Sequence, residues 1–362
     1  MTRATCATIN LSALRHNLSI AKQAAPHSKH LAVIKANAYG HGLLPVAKAL
    51  QQADALAVAC VDEAVQLRDA GIHQPLVILE GFFDQQELEA CRCNQLTPVV
   101  HQLEQIDLLE AERAEPLAVW LKLDTGMHRL GIHPEAVGEA WRRLRDCRSV
   151  NARAIGLMSH LANADDKADA MTETQYQRFS RTQKKLATDT TAPMASLANS
   201  GGLLGWPQTH LDWVRPGIML YGISPFQNHT GGEHHLQAVM TLKSRLIARN
   251  FHRRGKSVGY GGSWTCPEDM PVGVVAIGYG DGYPRHARAG TPLLVNGQRA
   301  SLLGRVSMDM ITVDLRGLQN INPGDEVILW GEGLPAEEVA RHADTIAYDL
   351  LCGVNPRVAV QY

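Results

Sequence analysis

The sequence has no excess of either charge: 35 Lys and Arg stand against 36 Asp and Glu, with 16 His uncounted. No local basic run breaks that balance, so the chain lacks the electrostatic footprint of a nucleic-acid binder. No apolar stretch is long enough to span a bilayer. The opening residues, MTRATCATINLSALRHNL, contain no apolar h-region, so no secretory signal peptide is expected. Cysteine is sparse and unpatterned. There are seven, an odd number, and the one close pair, Cys91 and Cys93, has C-x-C spacing with no second pair. That excludes a zinc framework and a disulfide scaffold and fits reduced thiols in a cytoplasm. The histidines form no H-E-x-x-H and no other familiar ligand spacing. Glu233-His234-His235 beside Gly231-Gly232 reads as a solvated loop, and no catalytic metal is expected. No internal repeat or low-complexity segment is visible.

What is present is an alternation of short β-like runs and helix-like segments. The runs are LAVIK (31–35), ALAVAC (55–60), PLVILE (75–80), LTPVV (96–100), LAVWLKLD (117–124), ARAIGLMSH (152–160), PMASLANS (193–200) and VRPGIMLYG (214–222). Amphipathic stretches such as VDEAVQLRDAG (61–71), FDQQELEACRCN (83–94) and PEAVGEAWRRLRD (134–146) lie between them. Strand alternating with helix argues for parallel β structure, and eight such units fit a (β/α)8 barrel. A doubly wound open sheet is the alternative. It wants a Gly-rich fingerprint after the first strand, and AYGHG is not G-x-G-x-x-G. After about residue 235 β-rich runs follow one another, with Asn296-Gly297 as a hairpin signal and Pro323-Gly324-Asp325 as a turn. One helix candidate, PAEEVARHADTIAYDLL (335–351), interrupts them. The expected organisation is a barrel over residues 1–234 and a mainly β domain over 235–362. A chain of 362 residues buries cores of that size without staples.

Barrel chemistry gathers at the carboxyl ends of the strands. Those ends carry Lys35, Lys122 with Asp124, His160, Ser200 and Arg215. A lysine at the end of an apolar run can simply cap the strand and point into water. Two amines, an imidazole and a guanidinium at one mouth are more informative, although an ordinary polar rim remains open on this ground alone. In LANSGGLLGW, Asn199-Ser200-Gly201-Gly202 precedes a short apolar run. A hydroxyl and two glycines at a helix start present backbone N–H groups to a phosphate, and Pro216-Gly217-Ile218 can bring more. The alternative is a plain N-cap with flexible glycines. A phosphate site beside a buried lysine suggests pyridoxal phosphate, which has an aldehyde for the amine, a phosphate for the helix and a ring nitrogen needing a partner.

The segments VIKANAYGHG, WLKLDTGMHRLG, MSHLANAD, LANSGG, VRPGIMLYG, SVGYGGSW and GRVSMDMITVD, in this order, resemble the signature segments of alanine racemases. The resemblance covers nearly the whole chain. It implies a (β/α)8 TIM barrel, a β-rich C-terminal domain and pyridoxal 5'-phosphate bound to a lysine. By the resemblance Lys35 is the Schiff-base lysine. Tyr39, Ser200, Gly217, Ile218 and Tyr348 hold the phosphate side, His160 joins the cofactor site, and Arg215 faces the pyridine nitrogen. A guanidinium stays charged and cannot hand over a proton, so the ring nitrogen stays largely unprotonated, which shortens the life of a carbanion and limits side reactions. Arg129 contacts the cofactor's phenolic oxygen and the substrate carboxylate, and carbamylation of Lys122 holds Arg129 in place. Met308, with Asp309 beside it, offers its backbone N–H to the substrate carboxylate. One variation stands out: His128 occupies a position where the family has glycine.

Inverting an α-carbon takes a proton from one face and returns one to the other, which two opposed bases achieve. The resemblance makes Lys35 the base for the D-enantiomer and Tyr260 the base for the L-enantiomer. A phenol ionises near pH 10; acting as phenolate near pH 7 means lowering that by about 3, roughly 4 kcal/mol. His160 and Arg215 are the candidates for a cationic network that does so. Read without the resemblance, Tyr260 is an aromatic packed on loop glycines. The resemblance further implies a head-to-tail homodimer in which Tyr260 and Met308 serve the partner's barrel. The leading expectation is interconversion of L- and D-alanine, supplying D-alanine for peptidoglycan. A barrel-type decarboxylase is disfavoured by Arg215 at the ring nitrogen. A non-catalytic pyridoxal-phosphate carrier has no use for the second domain. A broad-specificity amino-acid racemase is the nearest alternative, but such relatives are usually exported. A small-molecule substrate is expected, with no nucleic acid and no membrane.

Overall fold

The computed structural model describes residues 4–187 and 192–362. Eight parallel strands close into a barrel. After a first strand β1 (Cys6–Ile9), these are β2 (Lys29–Val33), β3 (Ala55–Val58), β4 (Leu76–Ile78), β5 (Leu96–Val100), β6 (Leu117–Lys122), β7 (Val150–Met158), β8 (Met194–Ser196) and β9 (Trp213–Val214). Each of the eight expected runs supplies one of them. All but β5 end before their apolar run does. β2 stops at Val33, two residues before Lys35. β8 is three residues long. β9 is Trp213 and Val214, of which only Val214 lies in the expected run, and Ile218–Tyr221 winds into a 3-10 turn.

The two-residue period sorts each strand into an inward and an outward face. Leu31, Thr97, Trp120 and Trp213 point into the barrel, where they border a small void of about 140 Å³. Trp120 plugs the interior beneath the mouth. A Cβ on Gly156 of the neighbouring strand would sit 2.3 Å from the Trp120 ring, so only glycine fits there. Helices Val61–Asp69, Gln85–Cys93 and Val137–Asp146 occupy the expected amphipathic stretches.

The second sheet is built from β10 (Met240–His252), β13 (Met270–Val275), β14 (Pro292–Val295), β15 (Gln298–Leu303), β16 (Ile311–Asp314), β17 (Glu326–Trp330) and β18 (Ala359–Gln361), with a separate ribbon of β11 (Ser257–Val258) and β12 (Trp264–Thr265). The long β10 pairs with both β17 and β13, so six strands form a ring. Asn296-Gly297 turns the β14–β15 hairpin with positive φ at both residues, 48° and 73°. The chain's first strand also belongs here: β1 lies between β10, antiparallel, and β18, parallel. The single helix expected over 335–351 is two, Ala336–His342 and Ala347–Cys352, because Asp344 enters the left-handed region at φ 52°.

Candidate active site

The barrel mouth opens into a cavity of about 890 Å³. Lys35, Tyr39, Lys122, Arg129, His160, Ser200, Arg215, Gly217, Ile218 and Tyr348 all border it. Of the residues singled out in the sequence, Tyr260 and Met308 do not. Tyr260 sits at the tip of the β11–β12 ribbon and Met308 between β15 and β16, and they are 68% and 54% exposed.

Lys35 is carried by unusual backbone. Ala36, Asn37, Ala38 and Tyr39 have φ between 52° and 55°, one turn of left-handed helix without a glycine. Such backbone costs L-residues about 1–2 kcal/mol each, and its surroundings hold it. Glu63 Oε1 accepts the Asn37 N–H at 3.2 Å, and Asn37 Oδ1 accepts the Leu43 N–H at 2.8 Å. Tyr39 stacks on Tyr221 with ring centroids 4.6 Å apart, and Tyr221 donates its hydroxyl to the Val33 carbonyl. Gly40 follows in contact with the second domain: a Cβ there would meet the Leu351 carbonyl at 2.2 Å. The helix Ala347–Cys352 thus closes over the lysine and brings Tyr348 beside Tyr39, ring centroids 6.1 Å apart.

Arg215 is almost wholly buried, 4% exposed, and its guanidinium is held from several sides. Nη1 donates to Ser196 Oγ at 2.6 Å; Nη2 donates to the carbonyls of Ser159 at 2.6 Å and Leu197 at 3.2 Å and lies 3.4 Å from His160 Nδ1. Burial lowers Arg215 to about 10, still charged at neutral pH. His160 is held well below the usual imidazole range, by burial first and then by Arg215, Lys122, Arg129 and Lys35. It is therefore neutral. Lys122, at the end of β6, is pushed down to about 8 by burial and by Arg215, Arg129 and Lys35. Arg129 rides on a loop pinned at its base, where the Ile132 N–H meets the Lys122 carbonyl at 2.7 Å and the Asp124 N–H meets the Ile132 carbonyl at 3.0 Å.

Ser200 opens a short helix, Ser200–Gly205, capped by Asn199 Oδ1 on the Gly202 N–H at 2.9 Å. Its Oγ accepts the backbone N–H groups of Gly217 at 2.9 Å and Met219 at 3.4 Å, which leaves its own proton for an acceptor in the cavity. A Cβ on Gly217 would come 2.8 Å from the Tyr39 hydroxyl, so any larger residue would push that phenol aside. Four cations gather here, Arg215 buried, Lys35 and Lys122 half-buried and Arg129 exposed; with two phenols and an uncommitted hydroxyl they suit a ligand with at least two anionic groups. Among the described residues no group of three His, Cys, Asp or Glu is placed to hold a metal ion. No helix among them is long and apolar enough to cross a membrane. Sequence reasoning missed Ser196, Ser159 and Tyr221, which orient the residues it found. Ser196 faces inward on β8 by the same alternation that exposes Lys122, but that reading needs the strand's true ends.

Two family models cover the chain: "Alanine racemase, N-terminal domain" matches residues 9–225 and "Alanine racemase, C-terminal domain" residues 239–362. The alanine racemase of Nitrosococcus oceani is 54% identical over 355 residues, 97% of either chain. That of Halorhodospira halophila is 52% identical over 360 residues, 99% of this chain and 97% of the other. Among solved structures, the biosynthetic alanine racemase from Pseudomonas aeruginosa superposes with a TM-score of 0.95 at 44% identity, covering 100% of this chain and 99% of that one.

Proposed function

The chain belongs to the alanine racemase family, and from that premise we propose that it interconverts L- and D-alanine with pyridoxal 5'-phosphate held on Lys35. The observation that carries this is the composition of the cavity at the barrel mouth, which Lys35, Arg215, His160, Ser200, Tyr39 and Tyr348 line together. The cofactor, when bound, stabilises the charge left on the substrate's α-carbon once its proton departs. The phosphate would be held by Tyr39, the free hydroxyl proton of Ser200, the backbone of Gly217 and Ile218, and Tyr348. Arg215 would face the ring nitrogen and, charged at neutral pH, would donate hydrogen bonds there without giving up a proton.

Lys35 Nζ takes and returns the α-proton on the face that leads to D-alanine. Tyr260 Oη does so on the opposite face. Arg129 and the Met308 N–H bind the substrate carboxylate, which fixes the α-carbon between the two bases. Lys122, held near 8, keeps a useful fraction of free amine at neutral pH, and addition of carbon dioxide to it supplies the carboxylate that steadies Arg129. Because Tyr260 and Met308 are exposed and do not border the cavity of their own barrel, we assign them to the mouth of a second copy in a head-to-tail homodimer. The division between barrel and β domain falls near residue 235. The seven cysteines are unpaired, in keeping with a reducing cytoplasm, where D-alanine serves peptidoglycan synthesis.

The test is a chiral assay of the purified, cofactor-loaded protein against L-alanine, L-serine and L-lysine, with the visible spectrum recorded alongside. L-alanine is expected to reach an equal mixture of enantiomers fastest. Failure to form D-alanine, or faster turnover of lysine, overturns the assignment.

A further inference from the structure

The barrel contains an imidazole that the reading above leaves without a task. His101 directly follows β5 and is 3% exposed. Thr97 on β5 and Ala118 and Trp120 on β6 face the interior. The two-residue period carries the same faces to His101 and to Lys122. The register pairs Val99 with Trp120 and Val100 with Leu121, so His101 and Lys122 form the next aligned pair. They are inward neighbours on strands roughly 5 Å apart. Lys122 borders the cavity and His101 is buried beside it.

The hydrogen bonds fix the tautomer of His101. Nε2 lies 2.8 Å from the Glu80 carbonyl, which can only accept, so Nε2 carries the proton. The Gln105 amide nitrogen approaches Nε2 at a longer 3.4 Å and is committed to the Phe82 carbonyl at 2.9 Å. Nδ1 is therefore a lone-pair acceptor, and it is buried without a hydrogen-bond partner among the described residues. Burial holds the ring below the usual imidazole range, and nearby Lys122 adds to this. An unpaired acceptor in that position calls for a donor.

We propose that His101 is a positioning residue for Lys122: Nδ1 accepts an Nζ–H of the amine and, after carbon dioxide has added, the single N–H of the carbamate. In that addition the Nζ lone pair bonds to carbon and one C–O electron pair moves onto oxygen. The proton lost from nitrogen leaves to water through the open cavity. With its N–H held by His101, the carbamate turns both oxygens away from the strand, toward Arg129. This role rests on the carbamylation of Lys122 proposed above.

Two substitutions separate this role from a structural one. His101→Asn keeps an acceptor where Nδ1 lies and loses the donor to Glu80; His101→Gln keeps that donor and loses the acceptor. The readout is the carbamate signal in ¹³C NMR of the holoenzyme under ¹³C-bicarbonate at one fixed pH. His101→Asn is expected to stay near the unsubstituted protein, while His101→Gln needs roughly 5-fold more carbon dioxide for half occupancy, the worth of one ordinary hydrogen bond. The reverse pattern, or equal occupancy in both, overturns the proposal. No signal in the unsubstituted protein overturns the carbamylation and this role with it. If both variants fail to fold, a high-resolution structure of the holoenzyme decides: Nδ1 within hydrogen-bond reach of Lys122 Nζ supports the role, and Nδ1 bound only to water ends it.

Discussion

His128 stands at φ 56°, the left-handed region that favours glycine, which is why the resemblance expects glycine there. Asp124 compensates. Its Oδ1 accepts the N–H groups of Gly126 at 2.9 Å and His128 at 3.1 Å, and its Oδ2 meets His128 Nδ1 at 3.1 Å. His128→Gly removes backbone strain and an exposed ion pair together, so thermal midpoint and KM for alanine are expected to change little. Asp124→Ala releases the loop that bears Arg129; it should destabilise by about 1–2 kcal/mol and raise KM more than it lowers kcat. Burial pushes the Asp124 carboxyl up, but those N–H groups and the His128 ring outweigh it and hold it below its ordinary value. The stability it contributes is thus present above the unfolded value of about 3.9 and is lost as pH falls through the lower folded value. Urea midpoints of Asp124→Asn should decline less steeply with acid. Tyr260→Phe is expected to keep the visible absorbance of bound cofactor while racemisation drops roughly 10²–10⁴-fold, with solvent deuterium still entering D-alanine through Lys35. Lys35→Ala should lose both that absorbance and any borohydride-reducible adduct. Lys35, Lys122, His160 and Arg215 were legible because polar residues ending apolar runs stand out. His101 was not, since a lone histidine beside a strand means little until the register sets it opposite Lys122.

Among the elements, the eight barrel strands were legible from their apolar runs, and the β14–β15 hairpin from Asn296-Gly297. The left-handed turn after Lys35 was not. Ala36-Asn37-Ala38 has no glycine, and its conformation is imposed by Glu63, Tyr221 and the helix Ala347–Cys352, all distant in sequence. Asn37→Val tests that account. It removes the hydrogen bond to the Leu43 N–H and puts a β-branched residue at φ 52°. The expected loss is about 2–3 kcal/mol, seen as a lower thermal midpoint and weaker cofactor retention. The helix expected over 335–351 failed for a related reason. Helical composition runs through Asp344 and Thr345, but Thr345 Oγ1 donates to Asp349 Oδ2 at 2.9 Å and starts a second helix in a new direction. That redirection is what brings Tyr348 to the cavity.

At the scale of the whole molecule, the change of grammar near residue 235 was visible, but the membership of β1 in the second sheet was not, because its pairing partners lie more than two hundred residues away. The proposed exchange of Tyr260 between copies has a direct test. A dimer of one Lys35→Ala chain and one Tyr260→Phe chain has one site with neither substitution if Tyr260 serves the partner's barrel. Mixing the two inactive proteins after mild dissociation should then restore about a quarter of full activity, since random pairing makes half of the dimers mixed, each with one working site. If Tyr260 serves its own barrel, nothing is restored.

The pairing of β1 with β18 also reaches into biosynthesis. The strand Cys6–Ile9 leaves the ribosome about 350 residues before its parallel neighbour Ala359–Gln361. At about 5–20 residues per second, the nascent chain carries that edge unmatched for roughly 20–70 s. Its length of four residues keeps the exposed template short while translation proceeds. A product cut off by a premature stop before residue 359 would leave that edge open for good, unmatched on the side where Ala359–Gln361 belongs.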